Sequence, residues 1–254
     1  NSSGGGDSSS VSSQLNGTIK VVSITAGNKA FAAVREDGSV VTWGDGNGGG
    51  NSGAVAAELD GSVGVVSLAT TDYPGAFAAL RTDGSVVTWG NSAGGDSSSV
   101  SSSLNGATDV LYIAGSQGAF AALRSDGSVV TWGDSAPGGD SSSVSGSLSS
   151  GVVSVYATQR AFAALKDDGS IITWGDGNQG GDSSSLQDQN GNFDIGIVCD
   201  GDGDGFTNSV EEAAGTDPQD ASSMPPHCGD GNVDANIGET CDDGNTTTEV
   251  CNYN

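Results

Sequence analysis

The phrase AFAAVREDGSVVTWG at residues 30–44 returns as AFAALRTDGSVVTWG, AFAALRSDGSVVTWG and AFAALKDDGSIITWG. Its tryptophans, Trp43, Trp89, Trp132 and Trp174, are spaced 46, 43 and 42 residues apart. A strand-like unit repeating at that period identifies a repeat architecture, in which neighbouring units bury what one unit cannot bury alone. Asp-Gly at Asp37, Asp83, Asp126 and Asp168 is a strong hairpin signal, because tight two-residue turns need positive φ. Ahead of each hairpin lies a β-branched run beginning at Val21, Val65, Val110 or Val152, so each unit has three strands. A fourth is expected near Val11, Val55, Val100 and Val144.

Both alternating faces of Phe120-Ala121-Ala122-Leu123 are apolar, as are those of Val129-Val130-Thr131-Trp132. A sheet with one wet face would alternate apolar and polar residues. These strands are therefore covered on both sides, and small alanines between large residues suit close sheet-on-sheet packing. The fold class expected is all-β: four stacked repeats of about 44 residues, propeller-like or open, followed by a small C-terminal module stabilised by calcium and disulfides. The units run 1–44, 45–90, 91–133 and 134–175, with a partial fifth from 176 that never acquires its hairpin. The β-repeat domain is read as 1–182, a connector as 183–198, a calcium-binding segment as 199–223 and a cysteine-rich acidic module as 224–254.

Charge divides the chain in the same way. The net charge is −25, yet residues 176–254 hold 17 acidic residues and no Lys or Arg. Such a tail repels itself unless cations bind it or it stays extended. Scarce, scattered basic groups argue against nucleic acid as a partner. All four cysteines, Cys199, Cys228, Cys241 and Cys251, lie in the tail. They read as two disulfides in an oxidising compartment. Zinc is the alternative, although no CxxC pair is present. No apolar run nears the ~20 residues of a membrane span. With no leader and no initial methionine, the chain reads as secreted with its leader removed, or as a fragment of a longer one.

Residues 200–211, DGDGDGFTNSVE, place Asp200, Asp202 and Asp204 at positions 1, 3 and 5 of a twelve-residue loop. Gly205 falls at position 6, the Phe206 carbonyl at 7, Asn208 at 9 and Glu211 at 12. That is the spacing with which an EF-hand loop wraps hard oxygens around Ca²⁺. The sole histidine, His227, has no catalytic partner in its linker-like setting, and no Walker or dinucleotide fingerprint occurs. The chain is therefore read as a non-enzyme.

Serine runs such as Ser97-Ser98-Ser99 and Ser141-Ser142-Ser143 recur in phase, each after an aspartate. They read as solvated loops with capped turns, or as O-glycan attachment sites. Asn1, Asn16 and Asn245 begin N-glycosylation sequons.

The A-F-A-A-L-x-x-D-G-S-V-V-T-W-G phrase resembles the repeat of the regulator-of-chromosome-condensation family over residues 1–182, which implies a β-propeller-type unit. The chain departs from that pattern in having only four units and GGDSSS after the tryptophan. Its acidity argues against carrying over chromatin contact. DGDGFTNSVEEAAGTDPQDASS resembles thrombospondin type 3-like and dockerin-like calcium segments, which implies Asp217 or Asp220 as a further ligand. HCGDGNVDANIGETCDDGN resembles the cysteine-rich CDDGN repeat of secreted bacterial surface proteins. Together these point to an extracellular or cell-surface structural protein that associates with copies of itself through open β edges. The alternative is a propeller-type adhesin or lectin-like module that recognises surface glycans. Tyr73, beside Pro74, is the one loop aromatic that favours it.

Overall fold

Each Asp-Gly turn closes a hairpin whose two strands differ in what they present to either side. The computed structural model describes residues 5–183, and these form twelve strands in four three-stranded antiparallel sheets. Sheet 1 contains β1 (Val21–Ala26), β2 (Ala30–Arg35) and β3 (Val40–Gly44). Sheet 2 contains β4 (Val65–Thr70), β5 (Ala76–Arg81) and β6 (Val86–Gly90). Sheet 3 contains β7 (Val110–Gly115), β8 (Ala119–Arg124) and β9 (Val129–Gly133). Sheet 4 contains β10 (Val152–Ala157), β11 (Ala161–Lys166) and β12 (Ile171–Gly175). The all-β stack of repeats is thus as the sequence predicts.

Register explains the two apolar faces. In the first hairpin Phe31 lies opposite Trp43, and Ala33 opposite Val41. These pairs share one face, because side chains alternate along a strand. Ala32 and Val34 occupy the other. The Phe–Trp face of sheets 2, 3 and 4 packs on the opposite, alanine-lined face of the sheet before it. Between sheets 1 and 2, Phe77, Ala79 and Trp89 meet Ala30, Ala32 and Val34, with Leu59 and Val65 filling the gap. Between sheets 2 and 3, Phe120, Ala122 and Trp132 meet Ala76, Ala78 and Leu80 around Leu104. Between sheets 3 and 4, Phe162, Ala164 and Trp174 meet Ala119, Ala121 and Leu123 around Leu148. The core is three copies of one interface.

The expected fourth strand is not one. Ser9–Val11, Gly53–Val55, Ser98–Ser103 and Ser142–Val144 are short 3-10 turns. The residue before each turn explains the choice. Asp7, Asn51, Asp96 and Asp140 each accept, through Oδ1, the backbone N–H two residues on, at 2.9 Å. Such side-chain acceptors compete with the ladder and favour a turn. The serine runs are therefore capped turns. The segment still touches the sheet, where Val40, Val86 and Val129 donate their N–H groups to the carbonyls of Leu59, Leu104 and Leu148.

The first strand of every sheet carries a bulge, between Val21 and Ser23 and at the matching positions. It leaves Val22, Val66, Leu111 and Val153 exposed. These edge strands depart from the two-sided covering seen in the hairpins. A bulge twists an edge away from pairing with another chain.

A polar lock holds each hairpin. Asp37 Oδ1 accepts from the Ser39 hydroxyl and backbone N–H, and Arg35 Nε donates to Ser39 Oγ at 2.8 Å. The same set recurs at Arg81, Asp83 and Ser85, and at Arg124, Asp126 and Ser128. In sheet 4 a lysine replaces the arginine and Lys166 Nζ donates to the Ser147 carbonyl instead. The serine hydroxyl first, and then the serine N–H, holds Asp37, Asp126 and Asp168 below the ordinary carboxylate value of 3.8. Asp83 is lowered chiefly by the same hydroxyl. A lowered native pKa contributes stability that is complete above the unfolded value and is lost as pH falls through the native one. We therefore expect the melting temperature to be level above about pH 5 and to fall progressively below about pH 4. Asp126→Asn should shallow that acid slope, as read by thermal melts across pH. An unchanged slope would show that the locks do not couple to folding.

Candidate functional site

The repeated feature closest to function is the seat that the loop after each sheet prepares for the next sheet. After every Trp-Gly comes a loop ending in Gly-Gly. Its first glycine, Gly49, Gly94 or Gly138, lies under the next sheet's aromatic pair. Trp89 Nε1 donates to the Gly49 carbonyl at 2.9 Å, and Trp132 and Trp174 to those of Gly94 and Gly138 at 3.0 Å. A Cβ on Gly49 would stand 2.5 Å from the Phe77 ring, and one on Gly138 2.5 Å from Phe162. Gly49 and Gly138 also have φ of 94° and 103°, which disfavours any side chain. Phenylalanine and tryptophan stack above the glycine with centroids 5.2–5.4 Å apart. The next residues complete the join: Thr88 Oγ1 donates to the Gly95 carbonyl at 2.9 Å and pairs with Ser97 Oγ at 2.9 Å. Sequence reasoning missed these seats, although their signal was available as Gly-Gly recurring in phase after each tryptophan.

The ends of the stack differ from its middle. Phe77, Phe120 and Phe162 are at most 1% exposed, whereas Phe31 and Trp43 are only half-buried. Trp43 Nε1 donates to Gly5, whose carbonyl lies 3.0 Å away on a segment preceding the first sheet. At the other end, Ala163 and Leu165 are half-buried where their counterparts Ala121 and Leu123 are buried. Beyond them Gly180 has φ of 100°, the conformation of a seat. Among the described residues only the Thr158 methyl comes within 4.0 Å of its Cβ position. The chain's four tryptophans all occupy other seats. Among the described residues that end presents a sheet face and a glycine seat.

The remaining sequence-assigned residues fall into two groups. Ser97 and Ser141 are half-buried, and each hydroxyl pairs with a threonine, Thr88 and Thr131. Ser98, Ser99, Ser142, Ser143 and Asn16 are exposed. Asn1, Asn245, the four cysteines and all the calcium ligands lie outside the described residues. Within 5–183 no group of three or more His, Cys, Asp or Glu gathers to hold a metal. No helix there is long and apolar enough to cross a membrane.

Comparisons with known proteins bear on both parts. Residues 200–221 match the Bacterial TSP3 repeat, a calcium-binding type typical of extracellular proteins. Asp200, Asp202, Asp204, Phe206, Asn208, Glu211, Asp217 and Asp220 all fall inside the match. Carboxylate and carbonyl oxygens are the donors a hard cation such as Ca²⁺ takes. Among solved structures, the repeats are similar to human WBSCR16 at 22% identity and a TM-score of 0.45, over 62% of this chain and 48% of that one. They are similar to yeast RCC1 at 19% identity and a TM-score of 0.45, over 61% and 43%. The ectodomain of the Physcomitrella patens receptor kinase CR4 matches at 18% identity and a TM-score of 0.44, over 62% and 42%. The chain thus spans less than half the length of these proteins. No curated protein sequence matches it.

Proposed function

We propose that this chain is a calcium-stabilised, extracellular structural repeat protein whose stack continues from one copy to the next. The observation that carries this reading is the surplus seat: five in-phase glycines, Gly5, Gly49, Gly94, Gly138 and Gly180, serve four Phe–Trp pairs. The partner with the right shape for Gly180, Ala163 and Leu165 is the Phe31–Trp43 face of a second copy. That contact would repeat an interface used three times within the chain. A head-to-tail contact gives a ring where its rotation closes and an open filament where it does not, and the filament is the form proposed. Because Trp43 already sits on Gly5, joining exchanges one glycine segment for another. The acidic segment, ordered by calcium, would anchor or connect the subunits, and the exposed serines are open to glycans.

The test is sedimentation and electron microscopy of the full chain in calcium, alongside Leu165→Glu. The wild type should form linear polymers that a calcium chelator loosens. Leu165→Glu should weaken association about a hundredfold, since burying an uncompensated carboxylate costs about 3 kcal/mol. A wild type that stays monomeric at high concentration, or a variant that polymerises equally well, would overturn the reading.

A further inference from the structure

In a chain where almost every feature is repeated, three that are not converge on one cavity. The β4–β5 loop of the second unit is longer than its counterparts and carries Tyr73-Pro74, with Tyr73 60% exposed. The loop after the third sheet has Pro137 before its seat glycine, where the other such loops have Gly48, Ala93 and Gln179. The β10–β11 loop of the fourth sheet contributes Arg160. With Asn91 and Gln117, these residues and Asp134 line a cavity of ≈ 570 Å³, within the range of small-molecule sites. Backbone bonds position the loop over it: Tyr73 donates its N–H to the Gln117 carbonyl at 2.8 Å, and Gln117 donates its own to Gln159 at 2.6 Å.

Pro137 removes one of the backbone donors that could have occupied the acid there. At the matching positions Asp45 accepts from the Gly48 N–H, Asn91 from Ala93 and Asp176 from Asn178, each at 3.0 Å. The residue three beyond Asp134 is Pro137, which has no N–H to give. Among the described residues the Asp134 carboxylate has no hydrogen bond or ion pair. It stands at the cavity wall, where a Cβ on Gly118 would meet Asp134 Oδ2 at 3.1 Å. Asn91 has spent only its oxygen, so its two N–H donors remain, and the Gln117 side chain makes no bond. Arg160 Nε lies 3.1 Å from Asp176 Oδ2 but outside hydrogen-bond geometry, with its terminal nitrogens free to donate.

We propose that this cavity binds a saccharide. The exposed Tyr73 ring offers an apolar face with a polar tip. Asp134 accepts hydroxyl protons, while the amides and the guanidinium donate to hydroxyl oxygens. A lone carboxylate without other acids is a poor metal site, and it repels phosphate. A polyol, whose hydroxyls both give and accept, satisfies the whole set. The site stands independently of assembly, since none of its residues lies on the end faces.

Ligand-observed saturation-transfer NMR on the full chain tests it, with the methyl glycosides of mannose, galactose and glucuronic acid as probes. Transfer to the ring protons of at least one glycoside is expected. Tyr73→Ala should abolish it and Asp134→Asn should weaken binding about tenfold, as for loss of a charge-assisted hydrogen bond. Tyr156→Ala, at an exposed tyrosine that does not line this cavity, should leave binding intact. Unchanged melting temperatures would separate loss of binding from loss of fold. No transfer to any probe, or transfer that survives both cavity substitutions, overturns the proposal.

Discussion

Gly49→Ala is expected to destabilise the repeat domain by about 3 kcal/mol, through positive φ and overpacking together. The added Cβ would lie 2.5 Å from the ring of Phe77, which is fully buried and has no room to yield. The backbone at φ 94° would also hold an alanine in the left-handed region. Gly94 supplies the control. It has the same place in the repeat, without positive φ, and its Cβ would meet its neighbours at 3.2 Å. Gly94→Ala should therefore cost only about 1 kcal/mol. Urea unfolding of both variants, followed by tryptophan fluorescence, checks the pair. Equal costs would show that the glycines are loop residues and not seats.

Phe120→Ala is expected to cost about 4 kcal/mol, the range for emptying a fully buried aromatic site. Phe120 is 0% exposed, stacks on Trp132 at 5.2 Å and covers the Gly94 seat between sheets 2 and 3. Phe31→Ala, the same substitution in the first unit, should cost about half as much, because that ring is only half-buried. In a stack of nearest-neighbour interfaces, an end unit contributes to one join and an inner unit to two. The gap between the two variants therefore measures how uncovered the end is. If assembly covers it, the gap should narrow at protein concentrations where polymers form. Identical costs in dilute monomer would contradict the half-exposed end.

Much of this molecule was legible in local patterns. Asp-Gly at residues 37, 83, 126 and 168 named the turns, because few residues tolerate that backbone. The doubly apolar Phe120–Leu123 strand announced that both its faces would be covered. Tyr73 was recognisable as an exposed loop aromatic. The calcium segment is legible for the same reason, since its oxygen donors recur within one short stretch. The serine turns were half legible. An aspartate before a serine run reads as a cap, yet β-branched valines such as Val100 and Val144 drew the reading toward a strand. The side-chain acceptor two residues before the turn's first N–H outweighed that propensity.

What the sequence by itself determined is the repeating unit: its period, its hairpin, its two apolar faces and the oxygen spacing of residues 200–211. Each of these depends on residues close together in the chain, so spacing alone carries the physics. Only the tertiary structure decided how units join. Gly49 lies 28 residues before Phe77 in the chain, yet the two meet because one sheet stacks on the next. The same stacking left Gly180 without an aromatic among the described residues, and brought Tyr73, Asp134 and Arg160 from loops of three successive sheets to one rim. Burial between sheets is a property of surfaces in space, and no periodicity in a single unit records which surface will be left open.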